Sequence, residues 1–367
     1  MILDEIALTF VRKLGSKGVA HLIDLYKNAE RIYSEPEFRL IICAELRDDI
    51  VAQILHKEGY ANAERELKYC EENGIKAIAS NDPDYPQRLR EIPDRPHILY
   101  YMGDITALSS PHVLSIVGTR SISAYGETVC ARFITELAQL FPDLVVVSGL
   151  AFGVDAAVHH AALAAGIRTV GVVANKLPDI TPSQHRKLAK DIIEHGGAII
   201  TEISSQTKQN GAFYIPRNRI IAGVADGLFV VESPANGGSL STVKAADAYS
   251  RTIMAVPGRV TDARSEGTNH LIKTNIAQLV TSPRDIAEAL GWEIVGAMPE
   301  KMHYEPREAN SKESAVLELL ADDSDGLSLE AIANKTGMSV SETSAVLLNM
   351  ELSGVVRQLP GKIYVIC

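Results

Sequence analysis

Val113-Leu-Ser-Ile-Val117-Gly118-Thr-Arg120 is a short, mostly apolar run that ends in a glycine and a cation. Five similar runs follow it, at Leu144–Val147, Thr169–Val173, Ala198–Thr201, Leu228–Val231 and Thr252–Val256. Helical periodicity fills the gaps between them. A strand with one wet face alternates apolar and polar residues, whereas these runs are continuous. Continuous apolar strands separated by helices predict a parallel sheet covered on both faces. Residues 111–295 are therefore expected to form an α/β core, a Rossmann-like doubly wound and mostly parallel sheet.

Three of these strands run into glycine-containing turns. They are Ser115-Ile-Val-Gly118-Thr-Arg120, Val147-Ser148-Gly149-Leu-Ala-Phe152-Gly153-Val-Asp155, and Val231 through Gly237-Gly238-Ser239-Leu-Ser-Thr242. In an open parallel sheet such loops gather at the carboxyl ends of the strands. Glycine lets backbone amides approach a ligand, and each helix start adds partial positive charge. One such loop is ordinarily just a tight βα turn. Three in one sheet, with Arg120 and Lys244 beside them, point to phosphate. The chain has no GxGxxG and no GxxxxGK[ST], which argues against dinucleotide binding and a P-loop nucleotidase. Phe213-Tyr-Ile-Pro216-Arg217-Asn218-Arg219 then sets two arginines among aromatics. Arginine holds phosphate bidentately and aromatic faces stack unpaired bases. The alternative for either arginine is an ion pair with an acid of the same segment.

The flanks read differently. Residues 1–60 suggest short helices, with Ile6, Phe10, Val11 and Leu14 at helical spacing before Gly15-Ser-Lys-Gly18 and Val19–Tyr26. That order resembles a helix-hairpin-helix or SAM-like domain, or else a plain helical bundle with glycines at its turns. Residues 61–110 are expected to lead into the core. Prolines at 83, 86, 93 and 96 exclude a helix between strands near 75–79 and 98–103. Residues 296–311 look like a linker. Residues 312–367 suggest three helices and a hairpin, a winged helix. They include a Ser339-Val-Ser-Glu342 capping box and a Pro360-Gly361 turn.

The chain has 367 residues and a net charge of −10, so a uniformly basic coat is excluded. Residues 104–295 carry 16 basic and 17 acidic side chains, against 14 and 18 before them and 6 and 11 after them. Four scattered cysteines without a CxxC pair fit a reducing compartment and no common zinc framework. No signal pattern and no membrane span is evident, so a cytoplasmic protein is expected, without metal or cofactor.

From Ser115 to Leu271 the chain resembles the DNA processing protein A family, also called DprA or Smf. The motifs are SIVGTR (115–120), SGLAFGVDAAVHHAAL (148–163), PRNRIIAG (216–223), GGSLSTVKAA (237–246), AVPG (255–258) and SEGTNHLI (265–272). DYPQRL (84–89) and ILYYMG (98–103) fit the extension before its core. The resemblance implies a non-enzymatic binder of single-stranded DNA that protects incoming strands in natural transformation. It also implies loading of the RecA recombinase and a homodimer formed through the core. Carried over by motif, the DNA or phosphate site comprises Gly118, Arg120, Ser148, Gly149, Phe152, Gly153, Arg217, Asn218, Arg219, Gly238, Ser239, Thr242 and Lys244. The stretch Ala174–Pro182 departs from the family, with Asn175, Lys176 and Thr181 where a histidine-glycine and a tyrosine are usual. Lys176 joins the expected site and extends its positive charge. His185, Arg186, Lys187 and Lys190 follow as an exposed helix face.

The sequence offers two other functions. Asp155 and His159, four apart on a helix, could act as acid and base in a nucleotide phosphoribohydrolase of related architecture. No second carboxylate is placed near the GGS loop for that chemistry. A duplex-reading winged helix needs cations, yet Val340–Leu352 carries Glu342 and Glu351 and no Lys or Arg. The hairpin offers only Arg357 and Lys362.

Overall fold

Parity along the strands explains the core. Odd-numbered Val113, Val117, Val145 and Val147 belong to one buried cluster, while even-numbered Leu114, Ile116 and Val146 belong to another. Successive side chains of a strand point to opposite faces, so both faces of this sheet are apolar and both are covered. A computed structural model describes residues 1–208, 211–294, 311–321, 326–352, 355–359 and 363–366. Its strands are β1 (Lys76–Ala79), β2 (Ile98–Gly103), β3 (Val113–Val117), β4 (Val145–Ser148), β5 (Arg168–Val172), β6 (Ala198–Thr201), β7 (Gly227–Val230), β8 (Thr252–Ala255) and β9 (Gln278–Leu279).

They form one nine-stranded sheet in the order β1-β2-β6-β5-β4-β3-β7-β8-β9. From β6 across to β9 every neighbour is parallel, and β1 and β2 pair antiparallel at one edge. The central β3 bonds β4 on one side and β7 on the other, with Ser115 opposite both Val147 and Leu228. The connections leave β3 and β7 in opposite directions, which opens a crevice at their carboxyl ends. The helix Ala124–Leu140 covers one face through Val129, Phe133, Ile134 and Leu137, and Phe133 stacks on Phe229 at 5.2 Å. Ile220, Ile221, Val243 and Ala246, from helices Tyr214–Gly223 and Ser239–Ala248, cover the other.

The prolines near 90 do not exclude a helix, contrary to expectation. Gln87–Arg90 is a single helical turn with Pro86 at its start. Proline is tolerated there because the first helical amides have no intrahelical acceptor. The first helix ends at Thr9, so Phe10, Val11 and Leu14 lie beyond it, and Gly15-Ser-Lys-Gly18 is the first turn of the helix Gly15–Tyr26. These helices are joined to β1 and β2 by Glu5. Its buried carboxylate accepts from Ala29 N, Asn81 Nδ2 and, at 2.8 Å, His97 Nε2. Ser80 Oγ meets the other ring nitrogen of His97 at 2.9 Å.

Met1–Val295 and Gly296–Cys367 are separate units. In the second, the helices Ser311–Ala321, Leu329–Thr336 and Val340–Leu352 precede the paired strands Val356–Leu359 and Ile363–Ile366. Val316, Leu320, Ile332, Leu347, Val356 and Tyr364 pack together. Ser328 Oγ accepts from Ala331 N, and Ser339 with Glu342 completes the expected capping box. This is a winged helix. The linker expected at 296–311, apart from Ser311, and the Pro360-Gly361 turn fall outside the described residues. Among the described residues no helix is long and apolar enough to cross a membrane.

Candidate nucleic-acid interface

The loops after β3, β4 and β7, with the start of the helix Tyr214–Gly223, enclose an open cleft of about 470 Å³. Its walls are tied to each other. Thr119 N donates to the carbonyl of Glu232, and the Glu232 carboxylate accepts from the amide and hydroxyl of Ser123. Ser123 Oγ in turn accepts from Gly126 N, capping the helix Ala124–Leu140. The β3 and β7 loops are thereby held in register. Gly153 has φ +76°, and a Cβ there would collide with the carbonyl of Thr119 and with Arg120. Only glycine joins the β4 loop to the β3 loop this closely.

The floor is polar. Arg217 is buried, and its Nη1 donates to the carbonyls of Gly149 and Val172 while Nε donates to Asn218 Oδ1. Asp155, also buried, accepts from Ala151 N. A Cβ on Gly149 would stand 2.6 Å from the Asp155 carboxylate and 2.8 Å from the Arg217 guanidinium, so glycine leaves room for both. Burial raises the Asp155 pKa and Arg217 opposes the rise. Burial lowers that of Arg217, against the pull of Asp155.

The rim is open. Arg120 is exposed and its guanidinium lies 5.4 Å from the Tyr214 ring centre. Phe152 is 46% exposed, with its ring edge-to-face on His185 at 4.9 Å. Gly237, Gly238 and Ser239 open the helix Ser239–Ala248, and a Cβ on Gly238 would meet nothing within 4 Å. Leu240 N and Ser241 N donate to the carbonyls of Gly237 and Gly238, so it is the partial positive charge of the helix start that suits anionic oxygen.

Of the expected site residues, Gly118, Arg120, Phe152, Arg217, Asn218, Gly238, Ser239 and Thr242 line this cleft. Gly149 and Gly153 shape it from behind. Ser148 is wholly buried and donates to the carbonyl of Ile116. Three cations lie outside it. Arg219 grips Glu202 through Nη1 and Nη2, both at 2.7 Å, and donates to the carbonyl of Asp94. Lys244 lies on a neighbouring hollow with Asp247 and Glu266. Lys176 lies 5.7 Å from the ring centre of Tyr69. Tyr214, Ile215 and Asn236 line the cleft and were not singled out by motif. The aromatic run beside Pro216 was the signal for Tyr214.

His159 is wholly buried and absent from the cleft wall. Thr169 spends its hydroxyl proton on the carbonyl of Val146, so it accepts from His159 Nδ1. Nε2 has no hydrogen-bond partner among the described residues. Burial pushes the pKa of this imidazole down to about 3. It is a packed neutral group, out of reach as the partner of Asp155 in acid–base work.

The profile of the family described as DNA recombination-mediator protein A matches residues 76–291, and that of the DprA winged helix domain matches residues 301–362. Protein Smf of Escherichia coli (strain K12) is 34% identical over 81% of this chain and 79% of its own. DNA processing protein DprA of Bacillus subtilis (strain 168) is 36% identical over 66% of this chain and 82% of its own. Among solved structures, DNA processing protein A from Streptococcus pneumoniae is similar with a TM-score of 0.67 and 28% identity, covering 78% of this chain and 98% of that one. The Helicobacter pylori protein, whose structure is described by its single-stranded DNA binding mode, gives 0.53 and 25%, covering 59% and 96%.

Proposed function

We propose, from the premise that this chain belongs to the DNA recombination-mediator protein A family, that it binds single-stranded DNA in the strand-end cleft and performs no catalysis. The observation that carries this is the rim, where exposed Arg120 and half-exposed Phe152 flank the glycine-rich start of the helix Ser239–Ala248. Arginine and amides neutralise phosphates, and Phe152 stacks on a base. Contacts to phosphates and base faces read little sequence. Duplex hides its base faces and binds more weakly.

Fluorescence anisotropy with labelled oligo-dT tests this. Tight binding that weakens steeply with salt is expected, lost in part by Arg120→Ala and by Phe152→Ala. No binding by the folded wild-type chain, or equal affinity for duplex, would refute it.

The same family membership supports three further roles: protection of incoming strands in natural transformation, loading of the RecA recombinase, and action as a cytoplasmic homodimer. The core has a surface suited to self-association, since Ile276 and Leu279 are exposed beside and within the edge strand β9. Sedimentation of wild type and Leu279→Glu tests the dimer, with a shift to monomer expected. RecA assembly on strands coated with single-strand binding protein tests the loading, with no acceleration refuting it.

A further inference from the structure

A second cavity, of about 280 Å³, lies between the first helices and the core. Phe10, Val19, Tyr100 and Phe213 give it apolar and aromatic walls, and Gly15 and Ser16 stand at its edge. Gly15 and Ser16 begin the helix Gly15–Tyr26, whose start carries no side-chain cap. The amides of Gly15, Ser16 and Lys17, which precede the first i→i−4 bond, have no intrahelical acceptor. Tyr100 is buried, and its hydroxyl has no hydrogen-bond partner among the described residues. Lys17 and Lys208, next in sequence to the lining residues Ser16 and Thr207, are exposed. Neither has an ion-pair partner among the described residues, whereas Arg12 and Lys13 nearby are paired with Glu58 and Asp49.

The two cavities are lined by successive residues of the chain. Phe213 lines the second and Tyr214 lines the first, so the backbone of Phe213–Tyr214 is common to both walls. The chemistry on offer there is a stacking face and an uncapped helix start, with two cations beside it that have no ion-pair partner among the described residues, which matches one further nucleotide.

We propose that this cavity is a second subsite for single-stranded DNA, taking a base against Phe213 and its phosphate at the Gly15–Gly18 turn. The inference rests on the cleft being the primary single-strand site. It gives the N-terminal helices a part in setting the length of strand that is held.

The test compares oligo-dT of about 5 and about 15 nucleotides, lengths that bracket short and long single-strand sites. Wild type, Arg120→Ala, Phe213→Ala and the double variant Lys17→Glu/Lys208→Glu are measured by anisotropy, with folding checked by thermal melting. The double variant changes only exposed side chains. The expected result is that it and Phe213→Ala bind the short strand like wild type but lose about fivefold or more on the long one. Arg120→Ala weakens both lengths. Unchanged affinity of the variants for the long strand would overturn the second subsite alone. So would equal loss on both lengths. If Arg120→Ala has no effect at either length, the cleft reading itself fails.

Discussion

Arg120 and Arg219 look equivalent in sequence, and the structure gives them opposite surroundings. Arg219 is 13% exposed at its side chain and neutralises Glu202, which is 20% exposed. It also lies 3.6 Å from Asp94. Removing one partner of a buried charge pair costs about 3–5 kcal/mol, and the partial exposure here reduces that to about 2–3 kcal/mol. For a unit this large, at about 2.1 cal/mol/K of unfolding entropy per residue, that corresponds to a Tm lower by roughly 3–5 °C. Arg120 is exposed, with its guanidinium 5.4 Å from the Tyr214 ring centre, so its removal should change stability by no more than about 1 kcal/mol. A lost charge-assisted phosphate contact should instead lower oligo-dT affinity roughly ten- to hundredfold. It should also make the salt slope shallower by about 0.7. Calorimetry and salt-dependent anisotropy on Arg120→Ala and Arg219→Ala measure both quantities. If Arg219→Ala melts like wild type yet loses DNA binding, the assignment of Arg219 to the scaffold is wrong. If Arg120→Ala melts as low as Arg219→Ala while keeping its affinity, the whole division fails.

Phe152→Ala should weaken oligo-dT binding by about 1–3 kcal/mol and leave Tm nearly unchanged, since the ring is already half in water. Gly153→Ala should lower affinity and stability together, by about 1–3 kcal/mol in melting, because its φ of +76° and the Thr119 carbonyl both oppose a side chain. The folded chain holds His159 neutral down to about pH 3, while the unfolded chain protonates it below about 6.5. Its contribution is therefore present above pH 6.5 and is lost as the pH falls toward 3. His159→Leu should flatten that acid limb by up to about 1.4 kcal/mol per pH unit, and an unchanged slope in melting against pH would count against the buried neutral histidine.

The central strands were legible because burial on both faces leaves no polar residue to interrupt the run. β9 was not, since Gln278 and Leu279 alone carry no period. That β1 and β2 would extend the same sheet also had no local signal, because antiparallel pairing at an edge is fixed by distant partners. In the site, glycines and Arg120 were legible as motif residues at strand ends. The cations were over-read for a geometric reason. Residues two apart on a helix point to opposite sides, so Arg217 and Arg219 cannot both face one cleft. The same spacing separates Thr242 from Lys244. Glu202, which claims Arg219, comes from the end of β6 and could not be anticipated from the PRNRIIAG run.

Glu232 joins two walls that lie more than 100 residues apart in sequence. A receptor built this way arrives at the encounter already shaped, so little of the binding free energy is spent on reorganising protein. The ordering cost then falls almost wholly on the floppy polymer that enters. Such a site favours ligands that resist ordering least, and a thymidine tract, which stacks weakly on itself, should dwell longer than a purine tract of equal length.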